Sequence, residues 1–191
     1  AETGIVHLVR RYLAALGPAT LADAASWSRL PVATLRPAVE ALDAEGVLWH
    51  GVDDHGRHLL DLAEAPRPGE DAAAPARLLA MWDGLLLGHA DRSRVIDPAH
   101  RNLIVAGNGD TYPTFLVDGR VAGLWWTRAT ASGPEIELEP FGPLRPGDRA
   151  ELETEAAGLA AFLAEREPAA YARYRLSRDR KVARGGIGTS A

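Results

Sequence analysis

The stretch PVATLRPAVEALDAEGVLWHGVDDHGRHLLDL, residues 31–62, carries two hydrophobic periods one after the other, and their order decides the fold. Over 31–46, Val32, Leu35, Val39 and Leu42 recur every three or four residues, which lines one face of an α-helix. Pro31 is acceptable in the first turn, where its missing N–H would have no intrahelical partner. Pro37 removes an internal hydrogen bond and is expected to kink the helix, and Gly46 closes it. Over 47–62 the pattern changes to two strands around the turn Asp53-Asp54-His55-Gly56, which reads as a β-hairpin.

Two shorter helices precede this stretch. IVHLVRRYLAAL (5–16) places Ile5, Leu8, Val9, Tyr12, Leu13 and Leu16 on one face, and Gly17-Pro18 stops it. ATLADAASWS (19–28) offers Leu21, Ala25 and Trp27 as buried positions. Helix, helix, turn, helix and hairpin in the first 62 residues is the order of a winged helix-turn-helix, with 31–46 as recognition helix and 47–62 as wing. The Ala-, Pro- and Gly-rich segment AEAPRPGEDAAAPA (63–76) then reads as a linker.

Beyond it the pattern is mostly β. NLIVAG (102–107), PTFLVDGRVAGLWWT (113–127) and PEIELEPF (134–141) are strand-like. Asp118-Gly119 is a two-residue hairpin signal of type I′, and Asn108-Gly109 marks another turn. DRAELETEAAGLAAFLAER (148–166) follows as an amphipathic helix, with Leu152, Ala156, Leu159 and Phe162/Leu163 facing inward. The expected class is therefore α+β: a winged helix-turn-helix domain (1–62), the linker (63–76), and a small antiparallel β-barrel domain with a C-terminal helix (77–165). A basic tail (166–191), expected to be partly disordered, completes the chain.

Composition narrows the function classes. With 47% hydrophobic residues, the 191-residue chain can bury a real core. Its net charge of −5 gives no global positive field, so a nucleic-acid partner would need local basic patches. The chain has no cysteine, hence no disulfide framework or thiolate nucleophile, which fits a reducing compartment. No apolar run approaches the roughly 20 residues that span a bilayer. The expected setting is soluble and cytoplasmic, without a membrane partner.

Several patterns bear on site chemistry. His89, Asp91 and His100 match no metal-ligand spacing, so no metal is expected. Neither a G-x-S-x-G elbow nor a P-loop occurs. Arg29, Arg36 and Arg57 are placed to meet phosphates around the recognition helix and wing, with His55 and His58 nearby. Glu40, Asp43 and Glu45 weaken that helix as a groove reader. In MWDGLLLGHADRSR (81–94), Asp83 and Asp91 are natural partners of Arg92 and Arg94. That cluster is either a set of ion pairs orienting a loop or a clamp in which the arginines grip a DNA backbone. Arg120 and the tail arginines are further phosphate contacts. Of Trp125 and Trp126, strand alternation sends one to the core and leaves the other a stacking platform or a covered aromatic.

Three stretches, YLAALGPATLADAASWSRL (12–30), MWDGLLLGHADRSR and NGDTYPTFLVDGRVAGLWW (108–126), together resemble the bacterial winged-helix DNA glycosylases that excise alkylated bases and unhook interstrand cross-links. The resemblance implies tandem winged helices followed by a β-barrel. It also implies a cofactor-free hydrolysis of N-glycosidic bonds in DNA, with duplex, alkylated or cross-linked DNA as partner. The family's catalytic signature is Gln-x-Gln or Gln-x-Asp on an N-terminal winged helix, and this chain contains no glutamine. No catalytic residue is therefore expected within it. The chain is expected to be the DNA-binding, C-terminal portion of a longer polypeptide whose N-terminal winged helix is missing here. The alternatives are a non-catalytic structural or protein-interaction module and a winged-helix transcriptional regulator.

Overall fold

Helix α1 (Glu2–Leu16) buries Val9, Tyr12 and Leu13, with Ile5, Leu8 and Leu16 packed beside them, the apolar stripe read from the sequence. Helix α2 (Leu21–Ser28) begins with a capping box: the Thr20 hydroxyl accepts from the Asp23 N–H, and the Asp23 carboxylate accepts from the Thr20 N–H. Each side chain satisfies a donor that the helix start leaves open. The buried residues of α2 are Asp23 and Ala24, and Trp27 instead lies 45% exposed, its ring 5.2 Å from that of Tyr12. Helix α3 (Val32–Ala44) runs through Pro37 without ending and buries Leu35, Ala38 and Leu42. Strands β1 (Leu48–Val52) and β2 (His58–Leu62) form the expected antiparallel hairpin, with Leu48 opposite Leu62. An isolated bridge between Ala19 and Leu60 ties it to the start of α2.

The computed structural model describes residues 2–69, 71–106, 109–164, 174–176 and 178–179. The chain divides into two compact units, one of Ala1–Ala72 with Gly84–Arg92 and the other of Ala73–Asp83 with Ser93–Ala191. The first holds α1–α3, the hairpin and a short helix α4 (Gly84–Leu87), which buries Leu86.

The second unit is built on four antiparallel strands in the order β3 (Arg77–Leu79), β4 (Thr114–Val117), β5 (Arg120–Thr130) and β6 (Gly133–Pro140). The β4–β5 turn, Asp118-Gly119, has φ of +50° and +71° at its two central residues, as a type I′ hairpin requires. A register shift at Phe115/Leu116 coincides with Gly123, where a Cβ would fall 2.3 Å from the Phe115 ring. Only a residue without a side chain lets the ring lie there. Helix α6 (Pro146–Leu163) carries Leu152, Ala156 and Leu163 to the interior, while Phe162 faces out, 57% exposed.

The expected barrel is corrected. Among the described residues β3 and β6 remain the two edges of an open sheet. One strand expected in the barrel, NLIVAG, is not a strand: Arg101–Ile104 form the short helix α5 behind a 3-10 turn at Pro98–His100. The Asp97 side chain accepts from the Ala99 N–H and Pro98 fixes the first φ, so the chain enters this segment already helical. Asn108 of the second expected turn and most of the basic tail lie outside the described residues.

Candidate nucleic-acid interface

In the first unit, α2, α3 and the hairpin set out the basic residues. Arg29 caps α2 at φ +59° and is exposed, and Arg36 projects from the middle of α3, also exposed. Neither makes an ion pair with a described residue. The acidic end of α3 is partly engaged, since Asp43 Oδ1 lies 2.7 Å from His50 Nε2. His50 Nδ1 is in turn 3.1 Å from His58 Nε2, so one of these two ring nitrogens donates to the other across the hairpin.

Arg57, at the hairpin turn, is committed within the protein. Its Nε donates to Asp53 Oδ2 at 2.6 Å and its Nη1 to Asp91 Oδ2 at 2.5 Å. Hydrogen bonds to Asp53 and then Asp91 raise its pKa further. Desolvation would raise the Asp53 carboxyl, but the Arg57 and His55 N–H groups and the Arg57 guanidinium hold it below its ordinary value. A phosphate at Arg57 would therefore have to compete with two carboxylates.

The segment Gly84–Arg92 is strapped to this unit by polar bonds. The buried Tyr12 hydroxyl donates to the Gly88 carbonyl at 2.8 Å, and His89 Nε2–H donates to the Leu16 carbonyl at 3.0 Å. The Ala90 N–H donates to Asp23 Oδ1 at 2.8 Å. Burial alone would raise the pKa of Asp23. The Thr20 hydroxyl and amide, the Ala90 amide and the neighbouring His89 outweigh it and keep the carboxyl below its ordinary value. Asp91 pairs with Arg57 of the hairpin turn, and Arg92 Nε reaches the His89 carbonyl at 3.5 Å. Sequence reading found Asp91 but missed Asp23, although the T-x-x-D pattern of a capping box was there to be read.

In the second unit Asp83 is half-buried and Arg94 exposed. The Arg94 carbonyl accepts from Arg120 Nη1 at 3.1 Å, and the Val95 carbonyl from the Val121 N–H at 2.8 Å. Arg120 is exposed and makes no ion pair among the described residues. Neither twin tryptophan is an open platform: Trp125 and Trp126 are 2% and 1% exposed. Trp125 Nε1–H donates to the Leu79 carbonyl, and Trp126 Nε1–H donates to Glu139 Oε2 beneath the Arg178 guanidinium.

The described part of the basic tail is likewise engaged. Arg175 pairs with Glu137 at 2.6 Å and Arg178 with Glu139, while Arg128 pairs with Glu135 at 2.6 Å. The Arg175 hydrogen bond, opposed by burial, holds Glu137 below the ordinary carboxylate range. The alternation Glu135-Ile136-Glu137-Leu138-Glu139 was the available sign of this acidic stripe. Among the described residues no group of three His, Cys, Asp or Glu side chains gathers as a metal site. No helix among them is long and apolar enough to cross a membrane.

Against known proteins, a family model described as AlkZ-like DNA glycosylase matches residues 1–162. The chain belongs to the AlkZ-like DNA glycosylase family. It is 30% identical over 167 residues to the interstrand DNA cross-link repair glycosylase of Streptomyces sahachiroi, covering 80% of this chain and 41% of that protein. The solved structure of Streptomyces sahachiroi DNA glycosylase AlkZ superposes with a TM-score of 0.65 at 28% identity, over 83% of this chain and 43% of that one. The chain thus spans less than half the length of the relative it matches.

Proposed function

We propose that this chain is a DNA-binding portion of a DNA-repair glycosylase. In this reading α1–α3 and the β1–β2 hairpin act as a winged helix, with α3 facing the duplex and the hairpin lying along the backbone. Membership of the AlkZ-like family over residues 1–162 carries the proposal. Arg29 and Arg36, exposed and without carboxylate partners among the described residues, support it as primary phosphate contacts. Arg92, Arg94 and Arg120 add contacts, and Arg57 joins them where DNA displaces Asp91. Asp83 and Asp91 orient the loop that presents Arg92 and Arg94.

The relative is named an interstrand DNA cross-link repair glycosylase, and a DNA glycosylase hydrolyses an N-glycosidic bond. This chain has no glutamine, so it supplies neither Gln-x-Gln nor Gln-x-Asp, and its own contribution is binding and orienting the duplex. Fluorescence anisotropy with a labelled duplex, titrated at several salt concentrations, tests the reading. Each phosphate neutralised steepens the log–log salt dependence by about 0.9. A chain that binds no duplex at low salt refutes the proposal.

A further inference from the structure

The second unit holds a cleft of about 260 Å³ lined by Asp97, His100, Arg120, Phe141, Pro143 and Leu144. It is built from three parts of the chain: the 3-10 turn, the first residues of β5, and the loop between β6 and α6. Its volume lies below the roughly 300–1,000 Å³ of clefts that enclose drug-sized molecules, which leaves room for about one planar ring system.

The lining has three kinds of chemistry. His100 and Phe141 set their rings 4.6 Å apart at 42°, a partly exposed aromatic wall. The Phe141 N–H is held by the Ala122 carbonyl at 2.9 Å, which fixes that wall against the sheet. Arg120 stands over the same cleft with its guanidinium steadied on the Arg94 carbonyl and no carboxylate partner among the described residues. Asp97 spends one oxygen, Oδ1, on the Ala99 N–H. Its other oxygen can accept from an exocyclic amino group, although it would repel a phosphate placed beside it. A ligand that satisfies all three presents a flat ring to the aromatics, an amino edge to Asp97, and an anionic group to Arg120 away from Asp97.

We propose that this cleft takes a single unstacked nucleotide of DNA, its base against His100 and Phe141 and its phosphate on Arg120. The inference rests on the DNA-binding reading and adds to it a site for an extrahelical base. Pairing of aromatic faces with a fixed cation is the general means by which proteins hold unpaired bases without reading their sequence. An adenine, with its amino group on the pairing edge, suits Asp97.

The test compares the whole chain's affinity for a fully paired duplex and for the same duplex with one extrahelical adenine, by anisotropy at fixed salt. The bulged duplex is expected to bind about tenfold more tightly, the size of one base–aromatic stack. In Arg120→Gln and Phe141→Leu the ratio of the two affinities falls toward one. Arg120 is exposed, so R120Q decides the matter if F141L melts early. The imidazole resonances of His100 are expected to shift on adding the bulged duplex, and no shift counts against the site. Absence of binding to either duplex overturns the DNA-binding reading itself. Equal binding to both, or a preference that survives both substitutions, overturns the cleft assignment and leaves DNA binding standing.

Discussion

Replacing Asp23 by Asn tests how the strap is held, because it changes one atom of a side chain that is only 5% exposed. The native carboxylate accepts from the Thr20 N–H at 2.8 Å, the Thr20 hydroxyl at 2.7 Å and the Ala90 N–H at 2.8 Å. Asn retains one accepting oxygen and turns an NH₂ toward donors. Hydrogen bonds to a charged acceptor contribute about 1.5–3 kcal/mol each, while the Thr20 hydroxyl still accepts from the residue 23 N–H as N-cap. The three donors crowd one carboxylate and the hydroxyl can rotate away, so the expected loss is about 2–3 kcal/mol rather than their sum. At roughly 2–4 °C per kcal/mol, Tm falls by about 5–10 °C.

The pH dependence gives the argument its sign. The folded pKa of Asp23 is depressed, so its charge stabilises the fold above the unfolded carboxyl pKa, and that contribution is lost as pH falls through the folded value. Urea unfolding of wild type and D23N from pH 7 downward should therefore show two curves that converge below about pH 4. Amide exchange at Ala90 should quicken in the variant at pH 7. A loss under 0.5 kcal/mol at neutral pH, or a gap that stays constant into acid, would refute the reasoning.

Other perturbations bear on the second unit and on DNA. Gly123→Ala places a Cβ 2.3 Å from the Phe115 ring and 2.5 Å from the Glu139 carbonyl oxygen, so it should cost about 1–3 kcal/mol in urea unfolding. Glu139→Gln leaves the half-buried Arg178 guanidinium above Trp126 with a weaker partner, and about 1–2 kcal/mol should be lost, read as a lower Tm with red-shifted tryptophan emission. Arg29→Ala and Arg36→Ala should each flatten the salt dependence of duplex binding by about 0.9 in log–log slope without changing Tm. Arg92→Ala with Arg94→Ala should weaken duplex binding in the same assay. A double variant that unfolds before it loses affinity makes the stretch a structural hinge.

The parts of the fold that were legible are those where one local signal suffices. The stripe of α1, the Leu35–Leu42 face of α3 and the Asp118-Gly119 turn each follow from a spacing or from a φ that few residues tolerate. The misreadings share a cause, which is that an apolar run does not state its own period. NLIVAG is as apolar as a strand, and the deciding residues, Asp97 and Pro98, stand before it rather than in it. For Trp125 and Trp126, alternation presumes one wet face and leaves a stacking platform and a covered aromatic both open; the structure shows the covered one. Glu139 and Arg178 cover that face, and Arg178 comes from a tail read only as a basic run.

The same difference explains why the candidate site was legible in composition and not in geometry. A sequence shows that Arg57, Arg92, Arg94 and Arg120 carry charge, but phosphate binding depends on the charge left after internal pairing. Arg57 and the described tail arginines meet carboxylates remote in sequence, Asp91, Glu137 and Glu139, while Arg29, Arg36 and Arg120 meet none among the described residues. With a net charge of −5, an unpaired arginine counts for more than a clustered one, because the acidic stripe of β6 already matches the described tail cations it faces. MWDGLLLGHADRSR divides along the same line. Its polar atoms from Gly88 to Asp91 are spent on Tyr12, Leu16, Asp23 and Arg57 of the first unit, and the Arg94 carbonyl steadies Arg120 in the second. A stretch that looks like an active site by density of charge is thus one whose polar bonds, among the described residues, mainly position other groups.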